Sequence, residues 1–315
     1  MNPKNMVWIP GGEFLMGSND FYPEERPAHT ATVGGFWMDQ HPVTVAEFRR
    51  FIKATGHITM AETTPDSADF PDAQPEQLVA GSLVFTPPTR PVRLDDFRNW
   101  WSWVPGAQWR HPYGPQSTLH GFDQHPVTHV AYPDAVAYAA WAGKVLPTEA
   151  EWEFAARGDL EGATYAWGEE FAPRGRMMAN TWQGDFPVHN DVLDGYERTS
   201  PIGKFPPNGY GLIDITGNVW EWTCQDFTSS HLGRAGTANE VSTTPVAATC
   251  CGPRRQPATA QSAQPEATSP STKVIKGGSH LCAPNYCLRY RPAARQSQTI
   301  DTSTSHLGFR CIVRP

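Results

Sequence analysis

The sequence predicts a single, loop-rich domain of mixed α+β class with little regular secondary structure. Three observations lead there. The 315 residues include 30 prolines and 27 glycines, a density that interrupts helices and strands at short intervals. The 12 tryptophans supply buried area that long elements would otherwise organise. No internal repeat and no linker between independent cores is visible, so residues 1–315 read as one domain, long enough to bury a core.

Residues 5–40 read as short strands joined by glycine turns, with Phe14, Met16 and Val33 facing inward. Thr44-Val-Ala-Glu47 is a capping box; Phe48, Phe51 and Ile52 follow at helical spacing and Gly56 stops the helix. Residues 60–120 are proline-rich without a sustained period, and an irregular surface layer is expected. Pro133 opens an alanine-rich helix through Trp141 that ends at Gly143. Thr148-Glu-Ala-Glu151 repeats the capping device, with Trp152, Ala155 and Ala156 on one face and Gly158 as the stop. The aromatic residues of these helices are expected in the core. The stretch Thr228–Thr272 is rich in Ser, Thr, Ala and Pro, with Leu232 as a candidate anchor; it reads as a long flexible insertion.

A net charge of −7 argues against a nucleic-acid partner. No stretch approaches 18 apolar residues, so no membrane span is expected, and the N-terminal residues show no secretory h-region. Six cysteines (224, 250, 251, 282, 287 and 311) are too few for a disulfide scaffold. A cytoplasmic location is the expectation.

Common catalytic signatures are missing: no His-Glu-x-x-His, no Gly-x-Ser-x-Gly, no P-loop and no dinucleotide fingerprint. His125 and His129 bracket Pro126, which works against the helix that would align them on a metal, so both read as structural. Cys250-Cys251 reads as a surface pair in the insertion. Two stretches are rich in oxygen donors: Asn180 to Asp185 with Asp191 and Asp194-Gly-Tyr196, and Asp214-Ile-Thr-Gly-Asn-Val-Trp-Glu221. Calcium takes six to eight such oxygens; acidic turns that hydrogen-bond themselves explain the same residues.

Cys282 and Cys287 are separated by four residues around a Pro-Asn turn. Their thiols can form a disulfide, half of a zinc site or a clamp for a soft metal. Zinc needs four ligands, and no second cysteine pair has the spacing. A disulfide is unstable in a reducing cytosol unless catalytic. Soft thiolates select Cu(I), and a third soft ligand, a substrate thiolate, has room to join. From the residues alone the three options stay open.

Lys276-Gly-Gly-Ser279 through Tyr286-Cys287, Arg289-Tyr-Arg291, Ala293-Ala-Arg295 and Ser305-His-Leu-Gly-Phe-Arg-Cys311 closely resemble the C-terminal signature of formylglycine-generating enzymes. The resemblance extends to Pro206-Pro-Asn-Gly-Tyr-Gly-Leu212, Gly217-Asn-Val-Trp-Glu-Trp222, Leu146-Pro-Thr-Glu-Ala-Glu-Trp152 and Ile9-Pro-Gly-Gly-Glu-Phe14, and so covers most of the chain. The outer motifs belong to the whole sulfatase-modifying-factor superfamily; the cysteine pair is the specific part.

The resemblance implies a compact fold similar to C-type lectins. It implies an oxidase that converts a cysteine in Cys-x-Pro-x-Arg of an unfolded or nascent sulfatase polypeptide to Cα-formylglycine with O2. Cys282 and Cys287 then match the Cu(I) ligands, and Ser279, Trp220, Tyr286, Arg295 and Ser303 match the substrate and oxygen pocket. Within that pocket Ser279 is expected to position substrate, Trp220 to wall the oxygen side and Arg295 to serve as a charged anchor. Two structural Ca2+ sites carry over: Asn180, Thr181, Asp194 and Tyr196 for one, and Asp214, Gly217, Val219 and Glu221 for the other. A monomer is expected.

Departures from the family pattern are also legible. Ala139, Ala156 and Pro292 stand at three of the four cysteine places of the secreted vertebrate members, leaving Cys311 unpaired. His306 replaces an asparagine at the pocket's edge, and Ala283 replaces a histidine after the first copper cysteine. A lectin-like module that lost its chemistry is the alternative. An iron-dependent sulfoxide synthase would need a three-histidine site on a partner domain that this chain lacks.

Overall fold

The structure, a computed structural model, describes residues 3, 5–68, 74, 78–231 and 271–315. Leu232, the Cys250-Cys251 pair and most of the expected insertion lie outside the described residues.

The chain begins with four short strands, β1 (Met6–Ile9), β2 (Gly12–Met16), β3 (His29–Val33) and β4 (Phe36–Asp39). β2 and β3 pair antiparallel with Phe14 opposite Ala31, and β1 pairs with β4 with Val7 opposite Met38. Phe14, Met16 and Val33 are buried as expected.

Helix α1 (Val45–Thr55) starts where the capping box places it. Thr44 Oγ1 accepts from Glu47 N, Glu47 Oε2 accepts from Thr44 N, and Gly56 closes the helix in the left-handed region at φ 68°. α2 (Tyr132–Trp141) has Pro133 in its first turn, and Asp134 Oδ2 accepts from Ala131 N at 2.9 Å. α3 (Glu149–Arg157) repeats the Thr148 box and stops at Gly158.

Residues 60–120 differ from the expectation of a surface layer. They form a hairpin of β5 (Gly81–Phe85) and β6 (Trp101–Pro105), and Phe85, Trp100, Trp101 and Trp109 are buried. Five-residue strands between prolines are too short to show a period, yet four aromatic rings are ample to bury a hairpin.

β7 (Trp220–Asp226), β8 (Thr272–Lys276), β9 (Arg295–Thr299) and β10 (Leu307–Gly308) make the largest sheet, in the order β10-β7-β8-β9. β11 (Ile312–Val313) returns to the edge of β4 and completes a three-stranded sheet. One apolar cluster gathers Phe48, Tyr138, Trp220, Trp222 and Phe309 with both Cys282 and Cys287; a second gathers Phe14, Phe36, Trp152, Leu212 and Ile312. The thiols therefore sit inside the aromatic core at the end of the main sheet.

Candidate active site in an aromatic cavity

The loop leaving β8 owes its shape to two glycines. Gly277 and Gly278 lie at φ 94° and 68°, and a Cβ on Gly278 would come within 2.9 Å of the Arg289–Tyr290 backbone. That close approach lets the loop from 279 to 288 fold back on itself. Two further turns, Cys282 N to Ser279 O at 2.9 Å and Cys287 N to Ala283 O at 2.8 Å, bring the cysteines face to face. Their sulfurs are 2.9 Å apart and both residues are 2% exposed. The contact is longer than the ~2.05 Å of a disulfide, and neither cysteine is bridged. Ser279 N also donates to Cys282 Sγ at 3.4 Å.

Cys282 and Cys287 both line a small cavity. Trp100, Trp101 and Trp220 line it, with Phe186 and Tyr286 stacked 4.6 Å apart. Its polar lining comes from Ser279 and His306, whose Oγ and Nδ1 lie 2.9 Å apart. The Trp101 ring packs against the His306 imidazole at 4.8 Å. Among the described residues no Lys, Arg, Asp or Glu lines it.

Of the residues matched to the pocket, Ser279, Trp220 and Tyr286 line this cavity with the two cysteines; Arg295 and Ser303 do not. Arg295 is buried in β9 and bonds both Glu149 oxygens at 2.7 and 2.9 Å, as well as the carbonyls of Glu24 and Thr228. Its charge is neutralised inside the protein, which is not the place of an anchor for incoming substrate. Ser303 Oγ donates to Ser82 Oγ at 2.9 Å, and Ser82 Oγ lies 2.7 Å from His129 Nδ1. Sequence reasoning missed Trp100, Trp101, Phe186 and Leu281 as lining residues. Only a pairing between the hairpin and the core, invisible in a proline-rich stretch, could have found the first two.

A second missed feature is a strap, Phe21 to Glu25, laid over the far side of the thiol loop. Tyr22 Oη accepts from Leu288 N at 3.0 Å. Arg289 reaches Glu24 at 2.6 Å, and Arg291 makes a bidentate pair with Glu25 at 2.6 and 3.0 Å. The two guanidinium groups also cover the Tyr22 and Phe21 rings. Burial raises the Tyr22 phenol against the pull of Arg289, with both cysteines pushing the same way as burial. The strap continues into a buried ionic belt in which Lys276 Nζ meets Glu153 at 3.0 Å and Arg157 meets Glu153 at 2.7 Å. Burial pushes the Glu153 carboxyl up, but Lys276 and Arg157 outweigh it and bring it down to about 2.

The two oxygen-rich stretches differ. In the first, Asp194 accepts from Thr181 N and Tyr196 N, each at 2.9 Å, so the turn folds around its own carboxylate. Gln183 Nε2 bridges Asp194 Oδ2 and the Thr181 carbonyl. Asn180 Oδ1 is buried without a partner beside them, an oxygen that suits a hard cation. In the second, Glu221 is the counterion of Arg310, which reaches it at 2.8 Å, and it also accepts from Trp152 Nε1 at 2.7 Å. As placed, that carboxylate does not fit a ligand role. Asp214 sits on the left-handed backbone at φ 49°, and burial pushes it up to about 6. Gly217, with φ 74°, packs its α-carbon side on the Asn180 carbonyl, so the two stretches touch. Among the described residues no group of three or more His, Cys, Asp or Glu is placed to hold a metal.

His125 and His129 are separately engaged. His129 is fully buried, with Nε2 donating to the Pro112 carbonyl at 2.8 Å, and His125 Nδ1 meets Thr199 Oγ1 at 3.0 Å. Cys311 is buried and unbridged, and burial holds its thiol well above the usual range. No described helix is long and apolar enough to cross a membrane.

Comparison with known proteins identifies the family. The whole chain, residues 1–315, matches the sulfatase-modifying factor enzyme 1-like domain. It is 52% identical to the formylglycine-generating enzyme of Mycobacterium tuberculosis over 98% of both chains. It is 45% identical to that of Thermomonospora curvata, over 99% of this chain and 94% of the relative. A mouse protein named inactive C-alpha-formylglycine-generating enzyme 2 is 36% identical over 97% of this chain and 84% of its own. Among solved structures, PvdO from Pseudomonas aeruginosa superposes with a TM-score of 0.58 at 22% identity, covering 99% of this chain and 95% of its own, a likeness of fold alone. With the signature loop, its paired thiols and the full-length match in agreement, the chain belongs to the formylglycine-generating enzyme family.

Proposed function

We propose that this protein converts a cysteine of a sulfatase polypeptide, within Cys-x-Pro-x-Arg, to Cα-formylglycine at the expense of O2. The observation that carries this reading is the pair of sulfurs 2.9 Å apart in an aromatic cavity that, among the described residues, no charged side chain lines. Such a donor set suits a monovalent soft ion and repels hard ones, so Cys282 and Cys287 would hold Cu(I). Bound copper supplies the one-electron redox chemistry that activates dioxygen, which no side chain here can perform.

The chain's own residues do the rest. Aromatic walls exclude bulk water from the sulfurs. A substrate thiol that enters must lose its proton, and the Ser279 Oγ to His306 Nδ1 contact at 2.9 Å offers an acceptor on the cavity wall. Two electrons and two protons leave the substrate's C–H and S–H and reduce O2 to hydrogen peroxide. Water then replaces sulfur on the resulting thioaldehyde, releasing hydrogen sulfide and the aldehyde.

Calcium belongs to the same proposal in a structural role. Asn180, Asp194 and the Thr181 and Tyr196 carbonyls would hold one ion. Asp214 with the Gly217 and Val219 carbonyls is the weaker set because Glu221 faces Arg310. The protein is proposed to act in the cytoplasm as a monomer on unfolded chains.

The inactive mouse relative makes a binding module the competing reading. One experiment separates them: incubate copper-loaded protein with a Cys-x-Pro-x-Arg peptide in air and examine the peptide by mass spectrometry. The aldehyde product is expected. An unaltered peptide, with copper demonstrably bound, would leave the scaffold as a binding module.

A further inference from the structure

Two of the tryptophans that line the cavity carry indole donors with nothing to donate to. Trp100 Nε1 and Trp220 Nε1 are both inaccessible and unpartnered, on residues 1% and 0% exposed. A buried donor left unpaired costs about 1–3 kcal/mol, and native proteins tolerate few. Other core tryptophans of this chain are satisfied. Trp152 donates to Glu221 at 2.7 Å, Trp222 to the Val130 carbonyl at 3.0 Å and Trp182 to the His189 carbonyl at 3.1 Å. Trp109 Nε1 is also unpartnered, but that ring lies outside the cavity and carries the Arg110 guanidinium 4.3 Å from its centroid.

Trp220 already has a place on the oxygen side of the proposed reaction; Trp100 has none. The Trp100 ring is clamped edge-on by Phe186 at 5.4 Å and Tyr286 at 5.2 Å, each at 80°. Its orientation is thus set before anything binds, the condition for a specificity contact.

We propose that Trp100 donates its indole N–H to a main-chain carbonyl of the substrate peptide beside the reacting cysteine. The inference rests on the function proposed above. An indole nitrogen only donates, so its partner is an acceptor. Among the described residues the lining has no cationic side chain to balance an anion, which favours a neutral oxygen. A cysteine side chain is short, so its thiol reaches the sulfurs only if the adjoining peptide group enters the cavity too. That peptide group leaves water and needs new partners.

The test replaces Trp100 with 3-benzothienylalanine, which puts sulfur where the N–H was and keeps the bicyclic shape. Steady-state turnover of a Cys-x-Pro-x-Arg peptide is expected to show KM for peptide raised about tenfold, the loss of one hydrogen bond. Values of kcat and of KM for oxygen should stay within about twofold. In parallel, the unsubstituted protein with 15N-labelled tryptophan is titrated with the inert Ser-x-Pro-x-Arg peptide. The Trp100 indole proton should move downfield as its N–H gains an acceptor. An unchanged peptide KM, a rise in the oxygen KM instead, or an indole signal that ignores bound peptide would each overturn the proposal. If the unsubstituted protein makes no aldehyde, the functional reading fails, while the titration still decides whether Trp100 receives a peptide.

Discussion

The thiol cavity and the ionic belt behind it are built on opposite principles. In the belt, charges bury themselves only with partners: Glu25 with Arg291, Glu149 with Arg295, Glu153 with Lys276 and Arg157. Among the described residues the cavity is lined by no charged side chain, and the indole donors of two of its lining residues stay unsatisfied. Folding neutralises the belt's charges pairwise, although Arg157 Nε is left without a partner, whereas the cavity's polarity is unmatched on those two rings. Paired charges hold geometry; open donors beside a cavity suit a ligand. The contrast also relocates Arg295, which the family resemblance places in the pocket and the structure places in the belt.

If this division is right, removing a cavity sulfur should destroy chemistry and spare the fold. Cys282→Ala or Cys287→Ala is expected to lower turnover more than about 10³-fold, with folding cooperativity retained, because trimming one buried sulfur costs the core little beside the loss of a proposed metal ligand. Assay of peptide conversion alongside thermal unfolding checks this; normal activity in either variant removes the copper assignment.

The belt should respond the other way. Glu25→Gln leaves the Arg291 guanidinium buried without its counter-charge, a change worth about 3–5 kcal/mol of stability. Denaturant titration of the variant reads that loss directly, and a midpoint equal to the parent's would show that the belt is not a structural brace.

Acid should weaken the scaffold near the hairpin. Burial lowers His129 from its usual value to about 4, so the folded protein keeps this ring neutral. Between pH 6.5 and 4 the unfolded chain binds the extra proton, so stability falls as pH drops through that window, by about 3 kcal/mol from this group. Melting temperatures across that range should drop less steeply in His129→Gln than in the parent; parallel slopes would contradict the linkage.

Calcium removal should have the smallest effect. If the Asn180 loop holds the ion, chelation is expected to cost about 2–3 kcal/mol at saturating calcium and to lower the melting temperature more than the turnover rate. A melting curve indifferent to chelator would argue that the loop is an acidic turn satisfied by Gln183.

Much was legible before any coordinates. The capping boxes at Thr44 and Thr148 and the stops at Gly56 and Gly158 are local chemistry, settled within a few residues of chain. The same is true of the Cys282 to Cys287 turn, whose spacing alone makes the sulfurs neighbours. What the chain could not announce is where distant segments meet. The strap at Phe21 to Glu25 grips residues about 265 positions away, and the tryptophans of a proline-rich hairpin become cavity walls. No periodicity encodes such meetings, because they follow from burying aromatic area and pairing charge across the whole molecule. Local hydrogen bonds determine elements; only packing decides which side chains share a cavity and which guanidinium is already taken.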